Sequence, residues 1–459
     1  MANTVAKYQK YDEYKDSGVE WLGKIPSHWE CFTGKRLFST VRKPAYGSDE
    51  QLAASQKYGV IPQKMMMELN DSKVMLALKG TESFRHVEKN NYVISLRSFE
   101  GGIEYSQYTG CVSPAYTVLQ SKKVIDYSYF KYLFKSTPFI AALQSTTDSL
   151  RDGKSISYEQ FGGIDLPSFK VEEQSNIANF LDHETAKIDS LIEKQQKLIE
   201  LLQEKRQAVI SHAVTKGLNP DATMKDSGVE WLGQVPEHWK VAPIKRIIHL
   251  MEQGKSPECE NIPATSAQWG VLKTSCVNNG IFQSQQNKAL PENAKPHLQY
   301  HVKAGDVLMS RASGSIKLIG SVALVPDDVQ ENLLLSDKIF RIHLTPACDA
   351  RFFTFLMATP CMRTLIERAI SGAEGMANNI TKTAILEFIS PIPTLKEQID
   401  LVNYISKKVK AFDSLTLKSN DAIQLLQERR TALISVAVTG KIDVRNWQAP
   451  DEAVTAHTV

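Results

Sequence analysis

The sequence has no run of about 20 consecutive apolar residues, the length that a helix needs to cross the hydrocarbon core of a membrane. The first residues, MANTVAKYQKYDEYKDS, are polar and lack the apolar segment of a secretory signal. The six cysteines are scattered along the chain with no CxxC pair: Cys31, Cys111, Cys259, Cys276, Cys348 and Cys361. This pattern indicates reduced thiols rather than a disulfide framework or a zinc site, so we expect a cytoplasmic protein with no membrane association.

Motifs that carry enzyme chemistry are also missing. We find neither the glycine-rich loop of a methyl-donor site nor an NPPY- or DPPY-like segment, and no HExxH, GxSxG or kinase signature. The stretch GVEWLGK from Gly18 to Lys24 has the spacing of a phosphate-binding GxxxxGK loop, but Ile25 replaces the hydroxyl residue that should bind Mg²⁺. The later copy of this stretch has Gln234 in place of Lys24. The sequence therefore predicts no catalytic, cofactor-binding or metal-binding residue.

The length of 459 residues exceeds what one hydrophobic core normally serves, so two or more domains are expected. The hydrophobic fraction of 42% and the charged fraction of 23% are typical of globular proteins. The net charge of +3 says little about nucleic-acid binding by itself. Internal similarity is more informative than composition.

Two segments of the chain occur twice and in the same order. KDSGVEWLGKIPSHWE (Lys15 to Glu30) and KDSGVEWLGQVPEHWK (Lys225 to Lys240) share 12 of 16 residues at an offset of 210. The segments Asp189 to Thr215 and Asp413 to Thr439 share 16 of 27 residues, without a gap, at an offset of 224. Because two ordered matches of this quality do not arise by chance, the chain is a tandem duplication.

The regions between the repeats are similar in length but align poorly. Cys31 to Ser168 and Val241 to Ile392 occupy equivalent places. Short apolar runs, such as NYVISLR from Asn91 and KIFRIHL from Lys338, predict strands, and Asp126 to Leu143 and Ala350 to Ile370 predict helices. This mixture predicts an α/β domain in each half, and the divergence favours one scaffold that presents two different recognition surfaces.

Two long helices are predicted, at Lys170 to Thr215 and from about Leu395 to Thr439. Apolar residues recur in each at close to the 3.5-residue period of a coiled coil. We expect the two helices to pack against each other, antiparallel, as a spacer between globular domains; the alternative is that each packs only on its own domain. The residues expected at the contact are Ile188, Leu191, Leu198, Leu202, Val209, Phe412, Leu415, Ile423, Leu426 and Leu433.

These segments closely resemble the specificity (S) subunits of type I restriction–modification enzymes, the HsdS family. The likeness is carried by SGVEWLGKIPSHWE (Ser17 to Glu30) with its copy, and by the stretch from Leu166 to Leu218. It extends to LRSFEGGIEYSQYTGCVSPAYTVL (Leu96 to Leu119) and GDVLMSRASGSIKLIGSVALV (Gly305 to Val325), so it covers nearly the whole chain. The second long helix departs more from the pattern in its first half.

The resemblance implies two pseudo-symmetric target-recognition domains joined by two long helices packed as an antiparallel coiled coil. Each domain would read one half of a bipartite, asymmetric site in double-stranded DNA, and the helices would set the spacer and dock partners. The implied partners are two adenine-N6 methyltransferase subunits and two ATP-driven restriction (translocase–nuclease) subunits. S-adenosylmethionine, ATP and Mg²⁺ would serve those partners, and this chain would bind none of them.

The expected division of the chain follows the repeats. A first repeat segment (1–30), target-recognition domain 1 (31–168) and a central spacer helix (169–217) form one series. A linker with the second repeat segment (218–240), target-recognition domain 2 (241–391) and the C-terminal spacer helix (392–445) form the other. Residues 446–459 are expected to be a disordered tail.

Candidate DNA contacts are polar and basic residues in glycine-rich or polar stretches beside predicted strands or before a helix, because such side chains suit phosphates and base edges. They are Arg97, Ser98, Phe99, Arg151 and Lys154 in the first domain, and Arg311, Ser313, Ser315, Lys317, Asn378, Asn379 and Lys382 in the second. The repeated aromatic residues Trp21, Trp29, Trp231 and Trp239 are expected to anchor each domain to its helix, with His28 and His238 in packing or capping roles.

Two other functions stay open from the residues alone. One is a stand-alone DNA methyltransferase or nuclease, which the missing motifs disfavour. The other is a coiled-coil scaffold with two ligand-binding lobes and no role in DNA binding.

Overall fold

The computed structural model describes residues 8–70, 83–96, 98–146, 156–370 and 378–449, with only the backbone of Phe99. The chain forms two compact units. Unit 1 consists of Met1–Gln196 together with Asn420–Val459, and unit 2 is Lys197–Ser419. Unit 1 is therefore assembled from two pieces that are far apart in the sequence, whereas unit 2 is continuous.

Unit 1 contains short strands and helices before its long-helix segments. The strands are β1 (Tyr14–Asp16), β2 (Lys24–Pro26), β3 (Glu30–Thr33), β4 (Phe38–Val41), β5 (Leu52–Ser55), β6 (Gly59–Pro62), β7 (Arg85–Val87), β8 (Tyr92–Ile94), β9 (Glu104–Tyr105), β10 (Gly110–Val112), β11 (Thr117–Ser121) and β12 (Asp165–Ser168). The helices are α1 (Gly34–Leu37), α2 (Gln63–Asn70), α3 (Ser98–Gly101), α4 (Tyr127–Phe134), α5 (Thr137–Ser145) and α6 (Tyr158–Gly163), followed by the first long helix, α7 (Val171–Lys216).

The elements that follow form unit 2, and the last helix continues into unit 1. The strands are β13 (Met224–Asp226), β14 (Gln234–Pro236), β15 (Lys240–Pro243), β16 (Ile248–Gln253), β17 (Gly270–Leu272), β18 (Asn287–Ala289), β19 (Val307–Ser310), β20 (Ala312–Ser313), β21 (Val322–Leu324), β22 (Leu333–Leu334), β23 (Ile339–Leu344), β24 (Asn378–Asn379) and β25 (Ile389–Ile392). The helices are α8 (Ala350–Met357), α9 (Pro360–Ala369), α10 (Lys382–Leu386) and the second long helix, α11 (Leu395–Val438).

The same four-stranded antiparallel sheet occurs once in each unit. Its order is β4-β11-β8-β9 in unit 1 and β16-β23-β19-β21 in unit 2. In each unit a two-stranded sheet, β3 with β12 or β15 with β25, leads into the long helix. The prediction of two pseudo-symmetric α/β domains is confirmed, although the sequences that form the two sheets align poorly.

Each predicted helix that follows the sheet is broken into two. Asp126 and Asp349 cap α4 and α8 by accepting hydrogen bonds from backbone N–H groups of the first turn. The second helix of each pair, α5 or α9, has a proline in its first turn, Pro138 or Pro360. Proline is tolerated there because a first-turn N–H has no partner within the helix, but it cannot continue a helix that arrives from the preceding residues.

Both long helices contribute one segment to each unit, and the segments pair antiparallel within each unit. In unit 1 the Arg430 guanidinium contacts the Asp189 carboxylate at 2.9 Å, and Ile188 shares a core cluster with Leu433. In unit 2 Arg206 lies 3.8 Å from Asp413, and Ala213 shares a core cluster with Leu401. The prediction of an antiparallel helix pair is confirmed.

The contact face of the long helices has the predicted period and includes seven of the ten residues expected there: Ile188, Leu202, Val209, Phe412, Ile423, Leu426 and Leu433. Buried or half-buried residues alternate at spacings of three and four: Ile188, Ile192, Gln195, Ile199, Leu202, Arg206 and Val209 in α7, and Val402, Ile405, Val409, Phe412, Thr416, Ser419, Ile423, Leu426, Arg430 and Leu433 in α11. The prediction was wrong for Leu191, Leu198 and Leu415, which are 47%, 41% and 47% exposed. In the first helix this face includes the polar residues Gln195 and Arg206.

The ends of the long helices differ from the expected division. The second long helix ends at Val438, whereas the expected spacer segment continues to residue 445. Beyond it Trp447, within the expected disordered tail, packs on Phe180 with ring centroids 5.5 Å apart. No helix within the described ranges is long and apolar enough to span a membrane.

Candidate nucleic-acid interface

One carboxylate at the start of each long helix fixes the repeat segment to that helix. Glu173 accepts hydrogen bonds from the indole N–H of Trp29 (2.9 Å) and the hydroxyl of Tyr11 (2.8 Å), and it contacts His28 Nε2 at 2.8 Å. In unit 2 Glu397 accepts the indole N–H of Trp239 at 3.2 Å and contacts His238 Nε2 at 2.6 Å. Burial of the Tyr11 ring and its bond to Glu173 raise the pKa of Tyr11 well above its usual range, so the hydroxyl remains a donor.

A buried glutamine follows each of these carboxylates and makes a second connection. The Oε1 atom of Gln174 accepts the backbone N–H of Asp126, and Oε1 of Gln398 accepts that of Asp349. Because Asp126 and Asp349 cap α4 and α8, this amide joins each globular domain to its long helix. Buried polar groups of this kind are costly to leave without partners, so the connections fix the domain in one orientation on its helix segment.

A lysine at the end of the first long helix, and one just after the second, make a third connection. Lys216 Nζ donates to the carbonyls of Leu232 and Gln234 in unit 2. In unit 1 Lys441 Nζ donates to the carbonyls of Leu22 and Lys24. Trp29 and Trp239 bond to the long helices as the anchor prediction expects, whereas the Trp21 indole N–H donates to the carbonyl of Asp165 in strand β12. The glutamate, glutamine and lysine partners are additional residues that sequence reasoning missed.

In unit 2 the topology of the sheet brings the candidate DNA contacts to one edge. Strands β16 and β19 run in the same direction, and β23 lies antiparallel between them. The loop after Gln253, the loop after Ser310 and the residues before Ile339 therefore meet at the same edge of the sheet. Strand β24 joins them, since Asn378 pairs with Ser313 and Asn379 with Ala312.

The candidate residues at this edge differ in exposure. Ser315 and Lys317 are exposed, whereas Arg311, Ser313, Asn378, Asn379 and Lys382 are half-buried. The Arg311 guanidinium lies 5.9 Å above the Phe340 ring, and Lys382 Nζ donates to the carbonyl of Met251 at 2.8 Å. Both cations thus also hold the loops together, and DNA contact by the seven residues stays a prediction.

Two further lysines lie at the same edge and were not among the sequence candidates. Lys255 follows β16 and Lys338 precedes β23, and both side chains are exposed. The carbonyl of Lys338 accepts the backbone N–H of Arg311 at 2.8 Å, which places it directly beside the loop after β19. Only the order of the strands shows that Lys255 and Lys338, which are 83 residues apart in sequence (338 − 255), lie on one surface.

The equivalent edge of unit 1 collects the loops after β4 and β8. Arg42 and Lys43 follow β4, and the carbonyl of Lys43 accepts the backbone N–H of His86. Ser98 is corrected as a candidate contact, because it is 1% exposed and its hydroxyl accepts the backbone N–H of Ser95 at 2.8 Å. Arg97, Arg151, Lys154 and the side chain of Phe99 lie outside the described residues.

A second exposed feature is a set of leucine side chains on the long helices themselves. Leucine side chains protrude to solvent on the faces that do not pair: Leu191, Leu198 and Leu201 in the first helix, and Leu415, Leu417 and Leu425 in the second.

Within the described ranges, no group of three or more His, Cys, Asp or Glu side chains could hold a metal ion. The GVEWLGK stretch forms the turn between β1 and β2, with Gly18 and Gly23 at positive φ, and no helix follows it as a phosphate loop would require.

The sequence is similar to those of type I restriction enzyme specificity subunits. The chain is 30% identical over 207 residues, or 45% of its length, to the type I restriction enzyme EcoEI specificity subunit of Escherichia coli, and this match spans about a third (34%) of that protein. It is 24% identical over 439 residues to the type I restriction enzyme MjaVIII specificity subunit of Methanocaldococcus jannaschii, covering 92% of this chain and 95% of the other. No family model matches the sequence.

Two solved structures share the fold. A chain from a structure of complex assembly and conformational transition of a type I restriction–modification system aligns with a TM-score of 0.65 and 12% identity, over 90% of this chain and 98% of the other. The HsdS subunit of Thermoanaerobacter tengcongensis aligns with a TM-score of 0.52 and 12% identity, over 91% of this chain and 98% of the other.

Proposed function

The chain belongs to the specificity subunits of type I restriction enzymes, and from this premise we propose that each of its two α/β domains reads one half of a bipartite, asymmetric DNA site. The observation that carries the proposal is the repetition of one sheet with different residues at the same edge. In unit 2 that edge presents Lys255, Lys317 and Lys338, and in unit 1 it presents Arg42 and Lys43. Two domains with the same sheet but different residues at its edge are suited to recognise two different half-sites.

The exposed cations at these edges support binding to the DNA backbone, and their amide and hydroxyl neighbours support readout of bases. Lysine and arginine side chains neutralise phosphates, whereas Asn, Ser and Arg can bond base edges in the major groove. Ser315, exposed beside Lys317, and the half-buried pair Asn378 and Asn379 offer such groups. We assign base readout to this set and phosphate contacts to the lysines.

The lengths of the two long helices support a role as a spacer that sets the distance between the two DNA half-sites. The first long helix has 46 residues and the second 44, which corresponds to roughly 70 Å and 65 Å at ~1.5 Å per residue. The carboxylate, glutamine and lysine connections hold each domain rigidly on its own helix segments. A change in helix length should therefore change the accepted distance between half-sites without altering either sequence.

The exposed leucines support docking of partner subunits on the helices. Leu191, Leu198 and Leu201 lie on one side of the first helix, and clustered exposed apolar residues are typical of a protein–protein contact. We propose that two methyltransferase subunits bind there, one toward each unit, and that two restriction subunits complete the assembly. In that assembly S-adenosylmethionine, ATP and Mg²⁺ serve the catalytic partners, this chain supplies recognition without catalysis, and the complex acts in the cytoplasm.

A domain exchange tests the proposal. Residues 31–168 would be replaced by the corresponding domain of another specificity subunit, and the methylated sites would be mapped by sequencing DNA from cells that also express the methyltransferase partner. We expect one half of the recognition sequence to change while the other half and the spacer stay the same. Changes in both halves of the recognition sequence would refute the proposal that each domain recognises its half-site independently. Absence of DNA binding by the unmodified chain together with its partner would favour a scaffold without a role in DNA binding.

A further inference from the structure

Unit 1 contains a recess of about 400 Å³ whose lining is strongly basic. The turn between β5 and β6, strand β9, helices α4 and α5 and the second long helix enclose it, all within unit 1. Its side chains include Lys57, Tyr58, Glu104, Tyr105, Lys131 and Lys135. A volume of several hundred cubic ångströms is the usual size of a small-molecule site.

The charges in the recess are not balanced by the protein. Lys57 and Lys131 form no ion pair with a described residue, and each ammonium lies over a tyrosine ring, Tyr58 at 4.8 Å and Tyr132 at 5.1 Å. Lys135 contacts the Glu104 carboxylate at 2.6 Å. The excess of cations favours an anionic ligand.

Glu104 adds a second requirement. It is 2% exposed, and its Oε2 atom is buried without a hydrogen-bond partner among the described residues. Burial raises the pKa of this carboxyl to about 7 despite Lys135 beside it. A buried oxygen without a partner is costly, and a ligand that brings an N–H donor past the flexible Lys135 side chain would satisfy it. Inorganic phosphate lacks such a donor.

The duplication provides an internal comparison. Lys131 in α4 corresponds to Thr354 in α8, and Lys135, which follows α4, corresponds to Ala358, which follows α8. In unit 2 the long helix closes this place directly, because Gln207 Nε2 donates to the carbonyl of Ala358 at 3.1 Å. The basic recess is therefore a property of unit 1 and not of the shared scaffold.

We propose that this recess binds a nucleoside monophosphate, with its phosphate at Lys57 and Lys131 and its base beside Tyr58 and Tyr105, where the exocyclic amine donates to Glu104. Cytosine and adenine both carry such an amine, and carboxylates accept hydrogen bonds from base amines. Tyrosine rings offer stacking faces for a base. The same chemistry could come from a free nucleotide or from a nucleotide at the end of a DNA strand.

Calorimetric titration of the full chain with cytidine and adenosine 5′-monophosphate tests the proposal, with ribose 5-phosphate and inorganic phosphate as ligands that lack the base. We expect saturable binding of at least one nucleotide at one site. The double variant Lys57→Ala/Lys131→Ala should weaken it about tenfold or more, because two charge-assisted contacts are lost. Lys10→Ala, an exposed lysine of unit 1 that does not line the recess, should leave it unchanged.

Three results would overturn the proposal: no saturation by either nucleotide, equal affinity for inorganic phosphate or ribose 5-phosphate, or unaltered binding by the double variant. Glu104→Gln provides a second test, because it keeps the shape of the side chain but replaces the charged carboxylate that accepts the hydrogen bond from the amine. We expect this variant to bind the nucleotide more weakly and to bind ribose 5-phosphate unchanged. Competition by a 5′-phosphorylated oligonucleotide would assign the site to strand ends, and lack of competition to free nucleotides.

Discussion

The carboxylate of Glu173 accepts the indole N–H of Trp29 at 2.9 Å, and both side chains are buried. Their equivalents in unit 2, Glu397 and Trp239, repeat the bond at 3.2 Å with a more exposed carboxylate. The sequence offsets of the two repeats, 210 and 224, map one pair onto the other. This bond is therefore part of the duplicated framework, and it fixes the position of the recognition domain on the helix.

Removing this carboxylate should destabilise unit 1. Glu173→Ala leaves the Trp29 indole and the Tyr11 hydroxyl buried without an acceptor, which should cost about 2–4 kcal/mol of unfolding free energy. Urea unfolding followed by tryptophan fluorescence measures it. Glu172→Ala, an exposed glutamate in the same helical turn, should change stability by no more than about 0.5 kcal/mol. Similar losses for both variants would remove the framework role from Glu173.

Two leucines one turn apart should respond oppositely. Leu202 is buried on the contact face, so Leu202→Ala should cost about 2 kcal/mol of stability. Leu198→Ala should be nearly neutral in stability but should weaken capture of the methyltransferase partner, because Leu198 is exposed. Thermal unfolding and co-purification with the partner measure the two effects. Equal partner capture by Leu198→Ala and the unmodified chain would exclude this leucine from the docking surface.

The lysines at the sheet edge of unit 2 should govern the salt dependence of DNA binding. Each of Lys255→Ala and Lys338→Ala should reduce the slope of log affinity against log salt by about one, the loss of a single phosphate contact. Lys245→Ala is the matched control, since Lys245 precedes β16 at the opposite edge and pairs with Glu387. Fluorescence anisotropy with the partner-bound protein gives the slopes. A control variant with the same loss would argue for general electrostatics rather than this edge.

Lengthening a long helix should shift the spacer alone. Four residues inserted between Gln195 and Glu200 add ~6 Å of helix, equivalent to about one to two base pairs of DNA. Sequencing of methylated sites should show the same two half-sites at a larger separation. The same insertion in the exposed linker between Asn219 and Pro220 should leave the separation unchanged. An unaltered spacer after the helical insertion would contradict the ruler role.

The sequence predicts the architecture well because duplication and helical period are properties of local order along the chain. It fails at three of the ten expected contact residues, because Leu191, Leu198 and Leu415 are apolar but exposed, whereas the polar Gln195 and Arg206 lie on the contact face. Polar residues are accepted on that face because Arg206 reaches Asp413 at its margin and long side chains cover apolar neighbours. Periodicity alone cannot rank two overlapping apolar stripes on one helix.

The sequence predicts only some of the residues at the sheet edge of unit 2, and the reason differs from that for the helix contact. The candidates after β19 were found from their own glycine-rich stretch, whereas Lys255 and Lys338 have no local signal. They join the surface through the strand order β16-β23-β19, which brings distant segments together. Ser98 shows the converse error, since a residue in a suitable stretch turns inward to close a turn with Ser95.

The connection of Lys441 to Leu22 and Lys24 has a consequence for synthesis on the ribosome. Unit 2 is a continuous stretch and can fold as soon as it emerges, but unit 1 lacks its closing helix segment until the last part of the chain has been translated. The domain made first is thus the last to be completed. During that interval the core around Trp29 lacks its contacts with Ala437 and Val438, so we expect unit 1, rather than unit 2, to expose apolar surface while the chain is being synthesised.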